Sequence, residues 1–272
     1  MTTLYHYTNA AGLKGILESK SFWATDHRFL NDTSEFQLGF KLISEAISQR
    51  EAKIKERSLD AWEMVQNLQV QAQHNGMHAF VASFTTNGDL LSQWRGYNGG
   101  RGFAIGIDND WLWENADAQS FKLFKITYDT KEHENIATNV AEQFLGMIGV
   151  DKDPKLITQT VLGWWQYALK AALTIKDKNF SEECEYRLAH VGHTWPPNIQ
   201  VRPGPGGLIP FLPCRFNVKA GIGGLETLSH GVQRIIVGPA LRPQQISAVQ
   251  ALLRTQQMDP PISMSDIPYV AD

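Results

Sequence analysis

An α+β fold is what this sequence predicts, on three observations. Short stretches that alternate apolar and polar residues at a period of two, such as residues 3–8 and 121–128, recur along the chain. Between them run helical stripes of period 3.6, one formed by Phe36, Phe40, Ile43 and Ile47 and another by Leu162, Trp165, Leu169 and Ala172. No repeat or linker interrupts the 272 residues, so a single domain over 1–272 is expected, with helical insertions at about 33–75 and 131–176.

Composition narrows the function. With 43% hydrophobic residues the chain can bury a sizeable core. Basic and acidic side chains, 25 against 28, leave a formal charge of −3 and no global field of the kind that draws a protein onto nucleic acid or membrane. A nucleic-acid partner must therefore be met by a local patch. Cys184 and Cys214 are too few for a disulfide framework and lack zinc-ligand spacing. The opening Met-Thr-Thr-Leu-Tyr-His shows no signal peptide, and no apolar run approaches the ~18 residues that span a bilayer. A soluble cytoplasmic protein without membrane contact is expected.

In chain order, residues 3–8 alternate as a strand with Leu4, His6 and Thr8 on one side and Tyr5 and Tyr7 on the other. Thr8 or Asn9 can cap the next helix, whose stripe is Leu13, Ile16 and Leu17, before residues 21–25 turn extended. A polar knot at 26–32 follows, and Asp32 with Glu35 suits a capping box for the Phe36 helix. Residues 50–73 read as one partly exposed helix on a spine of Trp62, Val65 and Leu68. Residues 77–85 form a strand with Val81, Ser83 and Thr85 on one face, and 90–94 a short helical piece. The glycines of 95–102 precede the buried strand 103–107 instead of following a strand into a helix, which excludes a Rossmann or phosphate loop. After the strand at 121–128, helices are predicted around 136–148 and 154–175. Residues 195–207 read as a surface loop broken by proline and glycine, 208–212 and 232–237 as strands, 243–254 as a helix, and 261–268 as extended.

Residues 180–191, Phe-Ser-Glu-Glu-Cys-Glu-Tyr-Arg-Leu-Ala-His-Val, are predicted as one strand with Ser181, Glu183, Glu185 and Arg187 on one face. Like charges on neighbouring same-face positions repel, so the pattern calls for a partner or a reaction. The plainer alternative is an exposed edge strand on which Glu185 and Arg187 form a weak surface pair.

Leu4-Tyr-His-Tyr-Thr8, Leu30-Asn-Asp-Thr-Ser-Glu35, Ser83-Phe-Thr85, Leu91-Ser-Gln-Trp-Arg-Gly96, Glu183-Cys-Glu-Tyr-Arg187 and Ile236-Val-Gly-Pro239 together resemble the bacterial DUF2971 family over nearly the whole chain. More distantly, a strand with His, then one with Ser-x-Thr, then one with Glu-x-Glu is similar to the three-part NAD site of ADP-ribosyltransferases. That resemblance implies a split antiparallel or mixed sheet of ADP-ribosyltransferase type flanked by helices, and NAD as co-substrate with no metal. It implies that Glu185 stabilises the oxocarbenium-like transition state and that Glu183 orients or deprotonates the acceptor. It places His6, Thr8, Asn31 and Ser83 against the cofactor, an aromatic among Tyr7, Trp23 and Trp94 on a ring, and Arg95 or Arg101 at the pyrophosphate.

Ser-Phe-Thr stands where the Glu-x-Glu branch has Ser-Thr-Ser, and His6 where it has Arg, so the chain mixes the marks of two branches and leaves the acceptor open. A nucleic-acid acceptor is slightly preferred to a protein one, on Arg95, Arg101, Arg187 and Arg202 interleaved with Trp94 and Tyr97. An activity that spends NAD inside a cell implies a toxin or phage-defence role, restrained by an inhibitory partner or a trigger. Two alternatives come from other classes. A metal-dependent hydrolase or nuclease could draw on His6, Asp26, His27, Asp32 and Glu35, and a non-catalytic ligand sensor on the exposed aromatics and the proline loop.

Overall fold

The computed structural model describes residues 2–30, 34–73, 78–96, 99–149, 153–192, 194–204, 206–216 and 231–269. It shows the expected α+β fold, a single open mixed sheet with helices packed on it. The chain begins β1 (Thr3–Thr8), α1 (Ala10–Ser19), β2 (Ser21–Asp26), α2 (Ser34–Ser48), α3 (Glu51–Arg57) and α4 (Leu59–Gln73). It continues β3 (His78–Thr85), α5 (Leu91–Gly96), β4 (Phe103–Asp108), α6 (Asn109–Asp117), β5 (Lys122–Lys125), α7 (Thr130–Met147) and α8 (Pro154–Ala172). The remaining elements are β6 (Glu185–Gly192), β7 (Gln200–Gly204), β8 (Gly207–Arg215), β9 (Val232–Val237), α9 (Gln245–Thr255) and β10 (Ile262–Met264).

The sheet branches at β3. One edge of β3 pairs with β6 along its whole length, from His78 opposite Gly192 to Thr85 opposite Glu185. The other edge is divided: Thr85 pairs with Tyr5 of β1, while Val81 and Phe80 pair with Thr25 and Asp26 of β2. Between those contacts Ala82, Ser83 and Phe84 have no strand on that side. From β1 the sheet runs on through β4 and β9 to β10, and from β2 through β8 to β7, while β5 covers the outer edge of β6. The β9–β10 ladder is parallel and the others antiparallel.

The pleat sends alternate β3 side chains to opposite layers. Phe80, Ala82 and Phe84 join Leu4 and Phe22 in a core with α1, α6 and α9, through Leu13, Leu112 and Leu253. Ala79 and Val81 join Ala189 and Val191 beneath α2, α4, α7 and α8, where Ile47, Val65, Phe144 and Trp164 fill the layer. Asn9 caps α1, its Oδ1 accepting from Gly12 N at 2.8 Å. Gly12 is required there, because a Cβ would lie 1.9 Å from Thr8 Oγ1.

Three expectations change and one helix is new. The helix expected over 50–73 breaks at Ser58, whose extended backbone ends α3 and whose hydroxyl accepts from Ala61 N at 3.1 Å at the start of α4. Of residues 195–207, Gln200–Gly204 is not loop but edge strand β7, which tolerates Pro203 because an outer edge has no ladder bond to lose. The strand expected over 121–128 is confined to Lys122–Lys125, with one isolated bridge beyond it between Thr127 and Ile175. Helix α6 was not anticipated, although Asp108 caps it through Trp111 N at 2.8 Å and Leu112 and Ala116 carry its spacing. The Asp32–Glu35 capping box lies outside the described residues.

Trp94 fastens α5 to the sheet. Its ring is fully buried and meets Tyr7 edge-on at 4.6 Å, and its Nε1 donates to Asp89 Oδ1 at 2.6 Å. Asp89 in turn accepts from Ser265 Oγ at 2.5 Å and from Asp266 N at 2.8 Å, tying the C-terminal segment to the same point. Trp94→Ala should cost about 3–5 kcal/mol in urea unfolding and speed amide exchange in α5 and at 265–267 first, as a cavity under a short helix requires.

Candidate functional site

A cleft of about 580 Å³ opens across the branch in the sheet. Its wall draws His6 from β1, Trp23 and Thr25 from β2, Ser83 from β3, Glu185 and Arg187 from β6, and Arg202 from β7. Lys176, Phe180 and Glu183 close one end. The antiparallel register and the pleat put Ser83 and Thr85 on one face with Arg187 and Glu185, so two of the three sequence motifs meet there, and His6 reaches the same cleft from β1.

Glu185 sits at the first position of β6 and is 4% exposed. Its Oε1 accepts from Arg187 Nε at 2.9 Å, and its Oε2 from Arg187 Nη2 at 3.1 Å and Lys176 Nζ at 2.9 Å. Burial alone would raise its pKa. Arg187, then Lys176 and the Ser83 hydroxyl, outweigh that and hold the carboxyl below its usual range. Its backbone N–H donates to Tyr128 Oη at 2.9 Å, and burial pushes that phenol up to about 12, so it stays protonated. Arg187 also donates from Nη1 to Leu173 O at 3.0 Å.

Glu183 is not on the strand. Residues Lys178–Glu183 form a three-ten turn, and Cys184 takes a left-handed conformation, φ 42°, that turns the chain into β6. Lys176 nevertheless reaches both acids, donating to Glu183 Oε2 at 2.6 Å. The two carboxylates therefore share a buried ammonium instead of repelling across a strand face. The alternative of an exposed edge strand is also corrected: β6 is covered on both sides, by β3 and β5, and Arg187 is buried. Lys176 is positioned by its own backbone, which donates to Thr127 O at 3.1 Å just beyond α8.

His6 crosses the gap that β1 and β2 leave along β3. Its ring lies 5.3 Å from both Phe22 and Phe84, and its Nδ1 is 2.9 Å from Ser83 O. A carbonyl only accepts, so Nδ1 carries the proton. Burial lowers the imidazole pKa to about 4, against the raising effect of the Ser83 bond and with help from the nearby Arg202 charge. His6 is therefore neutral at pH 7, and its Nε2 is a hydrogen-bond acceptor.

The other expected residues divide. Tyr7 and Thr8 line the cleft, but the Tyr7 ring is 2% exposed and its hydroxyl is occupied by Asn87 O and Leu90 N, each at 3.0 Å. Trp94 is core and does not reach a ligand ring. Arg95 is exposed, its guanidinium 5.6 Å over the Tyr269 ring, away from the cleft. Arg101 is exposed as well. Among the described residues of the basic and aromatic surface expected for nucleic acid, Arg187 and Trp94 are buried and Arg202 lines the cleft, while Arg95 and Arg101 are exposed. Of the three candidate aromatics, Trp23 is the one half-exposed in the cleft wall. Asn31, Asp32 and Tyr97 lie outside the described residues, as does the Glu35 side chain.

The described residues proposed for a metal, His6, Asp26 and His27, do not converge on one point. His6 is in the cleft, whereas His27 lines a separate hollow of about 800 Å³ beside Phe36 and Phe40. The Asp26 carboxylate is held by Arg28, Nη2 to Oδ2 at 2.6 Å and Nε to Oδ1 at 2.9 Å. Among the described residues no three His, Cys, Asp or Glu side chains could hold one ion. The hollow is larger than the cleft, and its charged lining residues are Arg28, Lys41 and Glu45, the last two forming an exposed i, i+4 pair at 3.9 Å.

A family model described as "Protein of unknown function (DUF2971)" matches residues 93–188. This supports the family resemblance over that segment, which contains Arg95, Lys176, Glu183, Glu185 and Arg187; the His6 and Ser83 motifs lie outside it. No curated protein and no solved structure matches the chain. No described helix is long and apolar enough to cross a membrane.

Lys176 and Tyr128 escaped the sequence reading because both lie outside the motifs, and only the Thr127–Ile175 bridge brings them to Glu185. Sequence gave Lys176 no mark of its own, since Lys170 and Lys178 flank it. The His6 environment has a measurable consequence. Between pH 6.5 and about 4 the unfolded chain takes up a proton that folded His6 refuses, so His6 lowers stability as the pH falls through that window. His6→Phe should flatten the pH dependence of the urea midpoint there, by a slope approaching about 1.4 kcal/mol per pH unit. Parallel titration curves for the two proteins would show that His6 protonates freely in the fold.

Proposed function

We propose that the protein is an NAD-dependent ADP-ribosyltransferase, with the cleft across the sheet branch as its NAD site. The observation that carries this reading is the meeting of His6, Ser83 and Glu185 from three strands at the gap along β3. A volume of about 580 Å³ lies within the range of small-molecule sites and accommodates an extended ligand.

Glu185, kept ionised by Arg187 and Lys176 and approached by the Ser83 hydroxyl, faces the ribose that carries nicotinamide. The C1′–N bond breaks, nicotinamide leaves with the electron pair, and the carboxylate stabilises the positive charge that develops on the ribose. His6 Nε2 accepts from a ribose hydroxyl, a task for which a neutral imidazole is suited. Glu183, more exposed than Glu185 and on the same ammonium, takes the proton of the attacking acceptor or water. Asn31, outside the described residues, and Thr8 remain assigned to the cofactor by the resemblance.

The acceptor is an intracellular macromolecule, nucleic acid slightly ahead of protein, with Arg95 and Arg101 as the exposed members of the expected basic surface among the described residues. A toxin or defence role with an inhibitory partner or trigger follows from the cost of uncontrolled NAD consumption.

Release of nicotinamide from NAD, followed by chromatography with cell lysate present, tests the reaction; none released at millimolar NAD would refute it. Glu185→Gln should lower that release about 100- to 10,000-fold, the loss of a positioned catalytic group, with circular dichroism confirming the fold. An unchanged rate would remove Glu185 from the chemistry. Glu183→Gln should reduce label transfer from NAD to macromolecules at least tenfold more than it reduces nicotinamide release; equal losses would deny it an acceptor role.

A further inference from the structure

We infer that the β2–β7 end of the cleft is a phosphate-binding subsite, anchored by Arg202 with the Trp23 indole beside it. Arg202 springs from β7, the outermost strand on its side of the sheet, where solvent is freely available. Its side chain turns inward across β8 to β2. There its Nη2 donates to Thr25 Oγ1 at 3.1 Å, and the guanidinium stands 5.9 Å from the Trp23 ring centroid. Its Nε is buried with no hydrogen-bond partner, and among the described residues no carboxylate pairs with it. Partial burial pulls its pKa below the usual arginine value.

Buried donors in folded proteins are nearly always satisfied, and a half-buried guanidinium whose Nε reaches neither water nor a counter-ion is an open anion site. The charges of the cleft agree. Lys176, Arg187 and Arg202 face only Glu183 and Glu185, and both acids are already bound to Lys176 or Arg187. One positive charge is left over, at Arg202. The planar fork of a guanidinium matches two phosphate oxygens, and Nε is half of the edge that makes the bidentate contact. Neutral His6 contributes no charge to this end, so hydroxyl recognition and phosphate recognition fall to different residues.

The ligand class is a nucleoside phosphate. Taking that phosphate to be the pyrophosphate of NAD rests on the proposed transferase reaction; the subsite itself does not. It also reassigns the pyrophosphate contact from Arg95 and Arg101, which the fold holds outside the cleft.

Calorimetry with ADP and with adenosine, on the wild type, Arg202→Gln and Arg202→Lys, tests it. Wild type is expected to bind ADP at least tenfold more tightly than adenosine, and raising the salt from about 50 to 300 mM should erode that preference. Arg202→Gln should abolish the preference and Arg202→Lys restore part of it. No ADP binding, equal binding of ADP and adenosine by the wild type, or an Arg202→Gln protein that keeps the ADP preference would each overturn the subsite. The wild-type comparison stands even where a variant does not fold. NAD consumed by Arg202→Gln with unchanged KM would overturn the subsite and leave the transferase; Arg202-dependent ADP binding without nicotinamide release would do the reverse.

Discussion

A single strand edge divided between two partners governs this structure. β6 occupies the whole of one edge of β3, so β1 and β2 must share the other, one at each end. Neither can extend along Ser83 without displacing its rival, and the backbone there would be left unpaired in a protein interior. His6 resolves this by donating from its ring to Ser83 O. The side chain that satisfies the backbone also floors the cleft. Branching, satisfaction of the gap and the candidate site are thus one feature.

Charge in the cleft is organised around Lys176. A buried lysine or glutamate is costly alone, and a buried ion pair often contributes little net stability, because desolvation cancels most of its attraction. Glu183, Glu185, Lys176 and Arg187 make four such groups in contact. An apolar core of equal volume would serve the fold as well. Their presence at the mouth of a cleft, with Ser83 and Tyr128 fixing Glu185 further, is the arrangement of a site in which an ionised carboxylate must be held still.

The two ends of the cleft differ in kind. Around His6 the groups are neutral and aromatic, suited to hydroxyls and rings. Toward β7 the inward-turned guanidinium is the only charge not already balanced among the described lining residues. A ligand with both hydroxyls and phosphate would bridge them. That polarity comes from strand order, since β7 and β1 lie on opposite branches of the sheet.

By itself the sequence determined the α+β class, most of the strands and helices, and three short motifs in an order that named His6, Ser83 and Glu185. These were legible because periodicity, capping residues and motif order are local properties. Tertiary structure decided the rest. It put Glu183 on a three-ten turn, because a left-handed Cys184 cannot be foreseen from alternation alone. It buried Trp94 and sent Arg95 outward, since one turn of helix presents both residues and only packing against Tyr7 selects which faces in. It brought in Lys176 and Arg202, which lie outside the motifs and reach the cleft by way of the segment bridged at Thr127–Ile175 and the β7–β8 hairpin. Charge balance in a buried site depends on which distant elements converge, and that is settled by the fold.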